Sequence, residues 1–386
     1  MLVVFAVMPG FAAIASADTP PAYFAVNLFS LNPPGTGYPS ASSQFQFWNQ
    51  SVAAGQAFGN ISYTAYPGET NQTSHAALWT AAGVQDLNPS GFAGSVGIAT
   101  NGTQQVGWGY TGSISSSGQQ AMLWTGTAAS AMNLTPVSLG FSNSTAYATD
   151  GIHQVGGGYG PNIPDHALLW TGTPDSAVDL NPTNPALSAF TRSAAYGVWG
   201  GKQVGAGISE TTEHAMLWSG NADSAVDLNP ANYKDSYAMG IIGAQQVGSG
   251  HDLNGINHPL LWTGSADSAV DLLPTQLPGV SQGEAVATNG IQQVGYVTGS
   301  FGVHAFVWSG TAQSAVDLQA LLPATQFTYS YATSIDLLGN IYGYAGAGPG
   351  SLEAVEWTPN PAALPEPATL ALCAIGGLVL IQARRP

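Results

Sequence analysis

A tryptophan recurs seven times along the chain, at Trp79, Trp124, Trp170, Trp218, Trp262, Trp308 and Trp357, spaced 45, 46, 48, 44, 46 and 49 residues apart. A fixed period of this size constrains the fold more than any single element, because it makes the chain an array of one supersecondary unit. The phrase before each tryptophan is nearly constant. It reads His75-Ala-Ala-Leu-Trp79, Gln120-Ala-Met-Leu-Trp124, His166-Ala-Leu-Leu-Trp170, His214-Ala-Met-Leu-Trp218, His258-Pro-Leu-Leu-Trp262 and His304-Ala-Phe-Val-Trp308, with a degenerate Glu353-Ala-Val-Glu-Trp357 at the end. Upstream stands Gln-Val-Gly, as at Gln105, Gln154, Gln203, Gln246 and Gln293; downstream stands Ser-Ala-Val-Asp-Leu, as at Ser176–Leu180 and Ser224–Leu228.

Each unit therefore holds four short runs rich in Val, Tyr, Trp and Thr, punctuated by Gly, Asn, Asp or Pro, and runs of this length and composition are strands. Asn101-Gly102 and Asn289-Gly290 between the first two runs are hairpin-turn dipeptides, since both residue types tolerate positive φ. Four antiparallel strands per unit of about 46 residues match one blade of a β-propeller. The predicted fold is all-β: a seven-bladed propeller over residues 18–362. The seventh unit lacks its last strand, and an orphan Ala25-Val26-Asn27-Leu28 stands near the N-terminus. The expected closure pairs that N-terminal strand with the Trp357 strand, removing free sheet edges; an open solenoid is the competing arrangement.

The ends read as addresses. Leu2–Ala15 is apolar and is followed by Ala15-Ser16-Ala17, a small-x-small site that predicts a signal peptide over residues 1–17. Residues 363–386 hold Pro365-Glu366-Pro367, an apolar run from Ala368 to Ile381, and the terminal pair Arg384-Arg385. That order resembles the PEP-CTERM sorting signal of exopolysaccharide-producing bacteria. The resemblance implies an exosortase-type membrane protease as partner, transient anchoring by a transmembrane helix, and a place in the cell envelope or outside the cell. An exopolysaccharide is the second candidate partner. The periodic body resembles the HAF-type extracellular repeat family, whose His-Ala-Phe stands at His304-Ala305-Phe306. Members of that family have no assigned chemistry.

Charge excludes one class of partner. Five Lys and Arg against 21 Asp and Glu give a net charge of −16, the wrong sign for nucleic acid. One cysteine, Cys373, excludes an internal disulfide framework. The repeated histidines, one per blade, stand too far apart to share a tetrahedral ion and read as structural. No Gly-x-Ser-x-Gly elbow, phosphate loop or His-Glu-x-x-His is present, and no cofactor is expected. Local chemistry should lie where the repeat breaks: Arg192, His153, the His251-Asp252 neighbours, Glu284 and Asp336. The expectation is an exported, non-catalytic structural or carbohydrate/matrix-binding repeat protein. The alternative is a polysaccharide-active hydrolase or lyase. Convergence of the repeat-breaking residues on one central pocket favours catalysis, and their dispersal around the rim favours binding.

Overall fold

A computed structural model describes residues 23–30, 52–53, 56–64, 72–80, 82–112, 118–348 and 353–359. Seven four-stranded antiparallel sheets follow one another around a ring, and in the first six each strand is hydrogen-bonded to the next in sequence. The fourth blade is representative, with strands Arg192–Trp199, Lys202–Ile208, Glu213–Trp218 and Val226–Asp227. The outermost strand of the last blade is Tyr23–Ser30, antiparallel to Glu353–Pro359. Tyr23 stands opposite Pro359, Ala25 opposite Trp357 and Asn27 opposite Val355. The Gln292 side chain donates to the Tyr23 hydroxyl at 2.8 Å, tying the closing strand to the sixth blade as well. The ring is a closed seven-bladed propeller.

Burial follows from the sequence of each third strand. Ala-Met-Leu-Trp is apolar on both faces because a neighbouring blade covers each face. Trp124, Trp170, Trp218, Trp262, Trp308 and Trp357 have no exposed surface, and Trp79 has 2%. Each fills the gap to the preceding blade. Trp124, for example, meets Phe58 edge to face at 5.8 Å.

Three polar contacts repeat with the blades. The histidine Nδ1 lies 2.7–2.8 Å from the Asp before Leu on the outer strand, in the pairs His75–Asp86, His166–Asp179, His214–Asp227, His258–Asp271 and His304–Asp317. The glutamine of Gln-Val-Gly accepts the N–H of a positive-φ glycine in the turn after the tryptophan, as Gln203 does from Gly220 at 2.8 Å. An inner-strand serine accepts the N–H of the residue after the histidine in the preceding blade, as Ser193 does from Ala167 at 3.0 Å.

Two departures from the repeat are coordinated. In the second blade both partners of the His–Asp pair change, and Asn133 donates to Gln120. In the fifth blade Pro259 occupies the position whose N–H would be donated, and the next blade has Gly283 in place of the serine. Proline has no N–H to donate, so a serine there would lose its partner.

The signal-cleavage residues Ala15 and Ala17, the sorting-signal residues Pro365, Glu366, Pro367, Arg384 and Arg385, and the apolar run 368–381 lie outside the described residues. Among the described residues no helix is long and apolar enough to cross a membrane.

Two stability measurements test this packing. Trp218→Ala should lower unfolding stability by about 3–5 kcal/mol, read by urea denaturation. His214→Gln alone should cost about 1 kcal/mol. Adding Asp227→Asn, which reproduces the second-blade pair, should recover most of that loss, and a double-mutant cycle measures the recovery.

Candidate functional site

The inner strands crowd around the axis, and most carry a β-bulge. The register slips at Gly97/Ala99, Ala146/Ala148, Ala195/Gly197, Ala238/Gly240, Ala285/Ala287 and Ala332/Ser334. A bulge leaves one residue unpaired and re-aims its side chain. In the third and fourth blades that residue is tyrosine, and the rings of Tyr147 and Tyr196 meet at 5.7 Å. In the next three blades the large residue stands two places earlier: Tyr237, Glu284 and Tyr331. Neighbouring second strands add Tyr296 and Tyr344, each 5.0 Å from the Tyr331 ring. All seven side chains are half-buried, as expected of groups lining an axial recess.

Acids and one imidazole share this recess. Tyr296 donates its hydroxyl to Glu284 at 2.9 Å. Burial raises the Glu284 carboxyl above its ordinary range, and the Tyr296 hydrogen bond and the nearby His251 only partly offset it. Burial also raises Glu213, with the charge of Asp235 adding to the effect and Arg192 and His251 opposing it. Burial first, then the Glu213 charge, holds the Tyr196 hydroxyl in its neutral form far into alkali. His251 Nδ1 lies 2.5 Å from Asp235 directly opposite on the neighbouring strand. This pair is not one of the repeated His–Asp contacts. A carboxylate on Nδ1 fixes the proton there and leaves Nε2 as the basic nitrogen. Beside the group a cavity of about 290 Å³ is lined by Tyr147, Tyr196, Asp165 and Arg192. Arg192 is bridged to Asp165 at 2.6 Å.

The opposite end of the axis is built differently. An opening of about 350 Å³ is lined by Asp150, Trp199, Ile242, Asp336 and Leu337 among others. Its acids are committed to turns. Asp150 accepts from the backbone N–H groups of Ile152 and His153 and from the His153 ring, so its pKa falls below the ordinary range even though burial alone would raise it. Asp336 accepts from the N–H groups of Leu338 and Asn340.

The repeat-breaking residues thus divide. Glu284, Arg192 and His251 share one end of the axis; His153 and Asp336 cap turns at the other. The neighbours His251 and Asp252 are not a pair: His251 faces Asp235, while Asp252 accepts N–H groups from Asn254 and Ile256 in its own turn. The partners that complete the recess, Glu213, Asp235 and the tyrosines, are absent from the sequence-based candidates. One signal for them was visible, the tyrosine recurring in the opening run at Tyr147, Tyr196, Tyr237 and Tyr331. Among the described residues no three His, Cys, Asp or Glu are grouped to hold a metal ion.

No family model matches the chain, and no curated protein matches it. Among solved structures it is similar to the β-propeller domain of the Trilobed protease from Pyrococcus furiosus, with TM-score 0.54 and 9% identity over 83% of this chain and 94% of that one. It is similar to a puromycin-hydrolysing peptidase from Mycobacterium tuberculosis, with TM-score 0.50 and 12% identity over 86% of this chain and 55% of that one. Prolyl oligopeptidase B from Galerina marginata matches at TM-score 0.50 and 10% identity, over 79% of this chain and 48% of that one. The chain spans nearly all of the first and about half the length of the other two. At these identities the likeness shows the fold alone. These three solved proteins are a protease domain and two peptidases; against that finding the expectation of a non-catalytic structural or carbohydrate/matrix-binding module is corrected and not carried forward.

The raised carboxyls give a pH signature. The folded state holds the Glu284 proton more tightly than the unfolded chain, whose ordinary value is 4.5. Unfolding therefore releases a proton between that value and the raised folded one, and stability falls as pH rises through this window. Glu284→Gln should flatten that part of the profile and stabilise the protein at neutral pH. Thermal melts of both proteins from pH 4 to pH 8 check it.

Proposed function

We propose that this chain is a hydrolase-type propeller that takes an extended polypeptide into its tyrosine- and carboxylate-lined axial recess. The observation that carries this reading is the convergence of Glu284, Glu213 and the His251–Asp235 pair among tyrosine rings at one end of the axis. A carboxyl that keeps its proton above the ordinary range is suited to protonate a leaving group. An imidazole oriented through Nδ1 is suited to take a proton from water through Nε2. Tyrosine faces beside carboxylates favour a cationic side chain, by cation–π attraction and by charge. The peptidase propellers that share the fold support polypeptide as the substrate class.

A polysaccharide is the second reading. The two raised carboxyls favour it, because glycoside hydrolysis uses a pair of carboxyls with one held protonated. Export accompanies both readings: cleavage after Ala17, and sorting through Pro365-Glu366-Pro367 and Arg384-Arg385 by an exosortase-type membrane protease.

Incubation of the full chain with Lys- and Arg-containing peptides, and separately with polysaccharides, tests the assignment. Peptide cleavage should fall by about 10²-fold or more in His251→Ala and in Glu284→Gln, the range typical of a lost general acid or base. Glycan cleavage lost in Glu284→Gln would transfer the assignment to the second reading. Neither binding nor turnover of either polymer would overturn both.

A further inference from the structure

The axial opening opposite the recess is ringed by apolar side chains that the turns do not require. Ile152, Ile291, Leu337 and Leu338 are 69%, 76%, 67% and 81% exposed, and Trp199 is 37% exposed. They stand in or beside the first hairpin turn of the third, fourth, sixth and seventh blades, where the second blade has Thr103 and the fifth has Ala244. Four of the six described first turns thus present a large apolar side chain on one face, and exposed apolar surface gathered on one face marks an interaction surface. The chain ends indicate what covers this one. Tyr23 stands opposite Pro359, so the described ring begins and ends on this same face. Eight residues, 360–367, separate Pro359 from the apolar run 368–381. Fully extended, they reach at most about 26–29 Å.

We infer that this collar rests in the headgroup–acyl boundary of a bilayer that holds the apolar tail, and so turns the tyrosine- and carboxylate-lined recess away from the membrane. The inference rests on the tail being membrane-inserted, and not on the recess being catalytic. A spacer of this length holds the ring within about 29 Å of the surface, and the face that the tail leaves from is the one carrying the collar. Trp199 among branched aliphatics matches the composition of interfacial segments. The charge on this face selects the lipid. Asp175, Asp223 and Asp267 are exposed in the short turns after the tryptophans, at the outer edge of the same face. They repel anionic headgroups, so zwitterionic lipid is the favoured surface.

The test uses the full chain with Cys373→Ala, carrying Leu338→Cys or, on the opposite face, Thr211→Cys, each labelled with an environment-sensitive dye. In phosphatidylcholine vesicles the dye at 338 should shift to the blue and be quenched by shallow lipid-borne quenchers, while the dye at 211 does neither. Replacing a third of the lipid with phosphatidylglycerol should weaken the shift. Co-flotation with vesicles while the 338 dye stays in water would overturn the collar's role and leave the anchor standing. Failure to co-float would remove the anchor and the inference together. A blue shift in the absence of lipid that disappears on dilution would assign the collar to a second copy of the chain and overturn the inference.

Discussion

A four-stranded blade that is apolar on both faces has no stable existence alone, and every blade here depends on the next one covering it. In a linear array the two end blades would each leave a face in water. The ring removes that problem, and the strand pairing Tyr23–Ser30 with Glu353–Pro359 makes the ring continuous. Trp357, fully buried in the closing blade, donates its indole N–H to the Leu318 carbonyl of the preceding blade at 3.1 Å. The seam is therefore held by a strand ladder within the blade and by hydrogen bonds to the neighbouring blade. The Pyrococcus furiosus propeller that shares the fold is described as having an open velcro topology. The present chain closes, because its first strand is supplied from far away in sequence.

The repeats carry their own hydrogen-bond grammar, and its exceptions explain its rules. Gln120 and Asn133 change together and keep a hydrogen bond at that place, with the Asn133 amide donating to the Gln120 carbonyl oxygen. Pro259 and Gly283 change together because one has no N–H and the other has no acceptor. The second change removes donor and acceptor together, so neither is left unpaired in the packed interface between blades.

The architecture was legible in the sequence because a period near 46 residues repeats the same evidence seven times. The orphan strand at Ala25–Leu28 located the seam by the same logic, since a unit missing at one end must be completed at the other. The recess was far less legible. Glu284 and Arg192 stood out as breaks in the pattern, but which residue stands opposite His251 depends on the bulge between Tyr233 and Asp235, and Glu213 comes from the third strand of the preceding blade. A period does not encode that choice. His251-Asp252 misled for a related reason: adjacent residues in a strand point to opposite faces, so sequence neighbours are poor partners. The functional expectation was drawn from the repeat and its fold, and one fold hosts many activities.

The central claim is that the chain's first strand seals its last blade in the stated register. Val26 stands opposite Glu356 across that seam. The double variant Val26→Cys/Glu356→Cys, in a Cys373→Ala background, places two thiols within disulfide reach on adjacent strands. Oxidation should give an intramolecular crosslink that migrates faster on a non-reducing gel and raises the melting temperature of the monomer. Free thiols after oxidation, or crosslinks only between separate molecules, would contradict the closed ring.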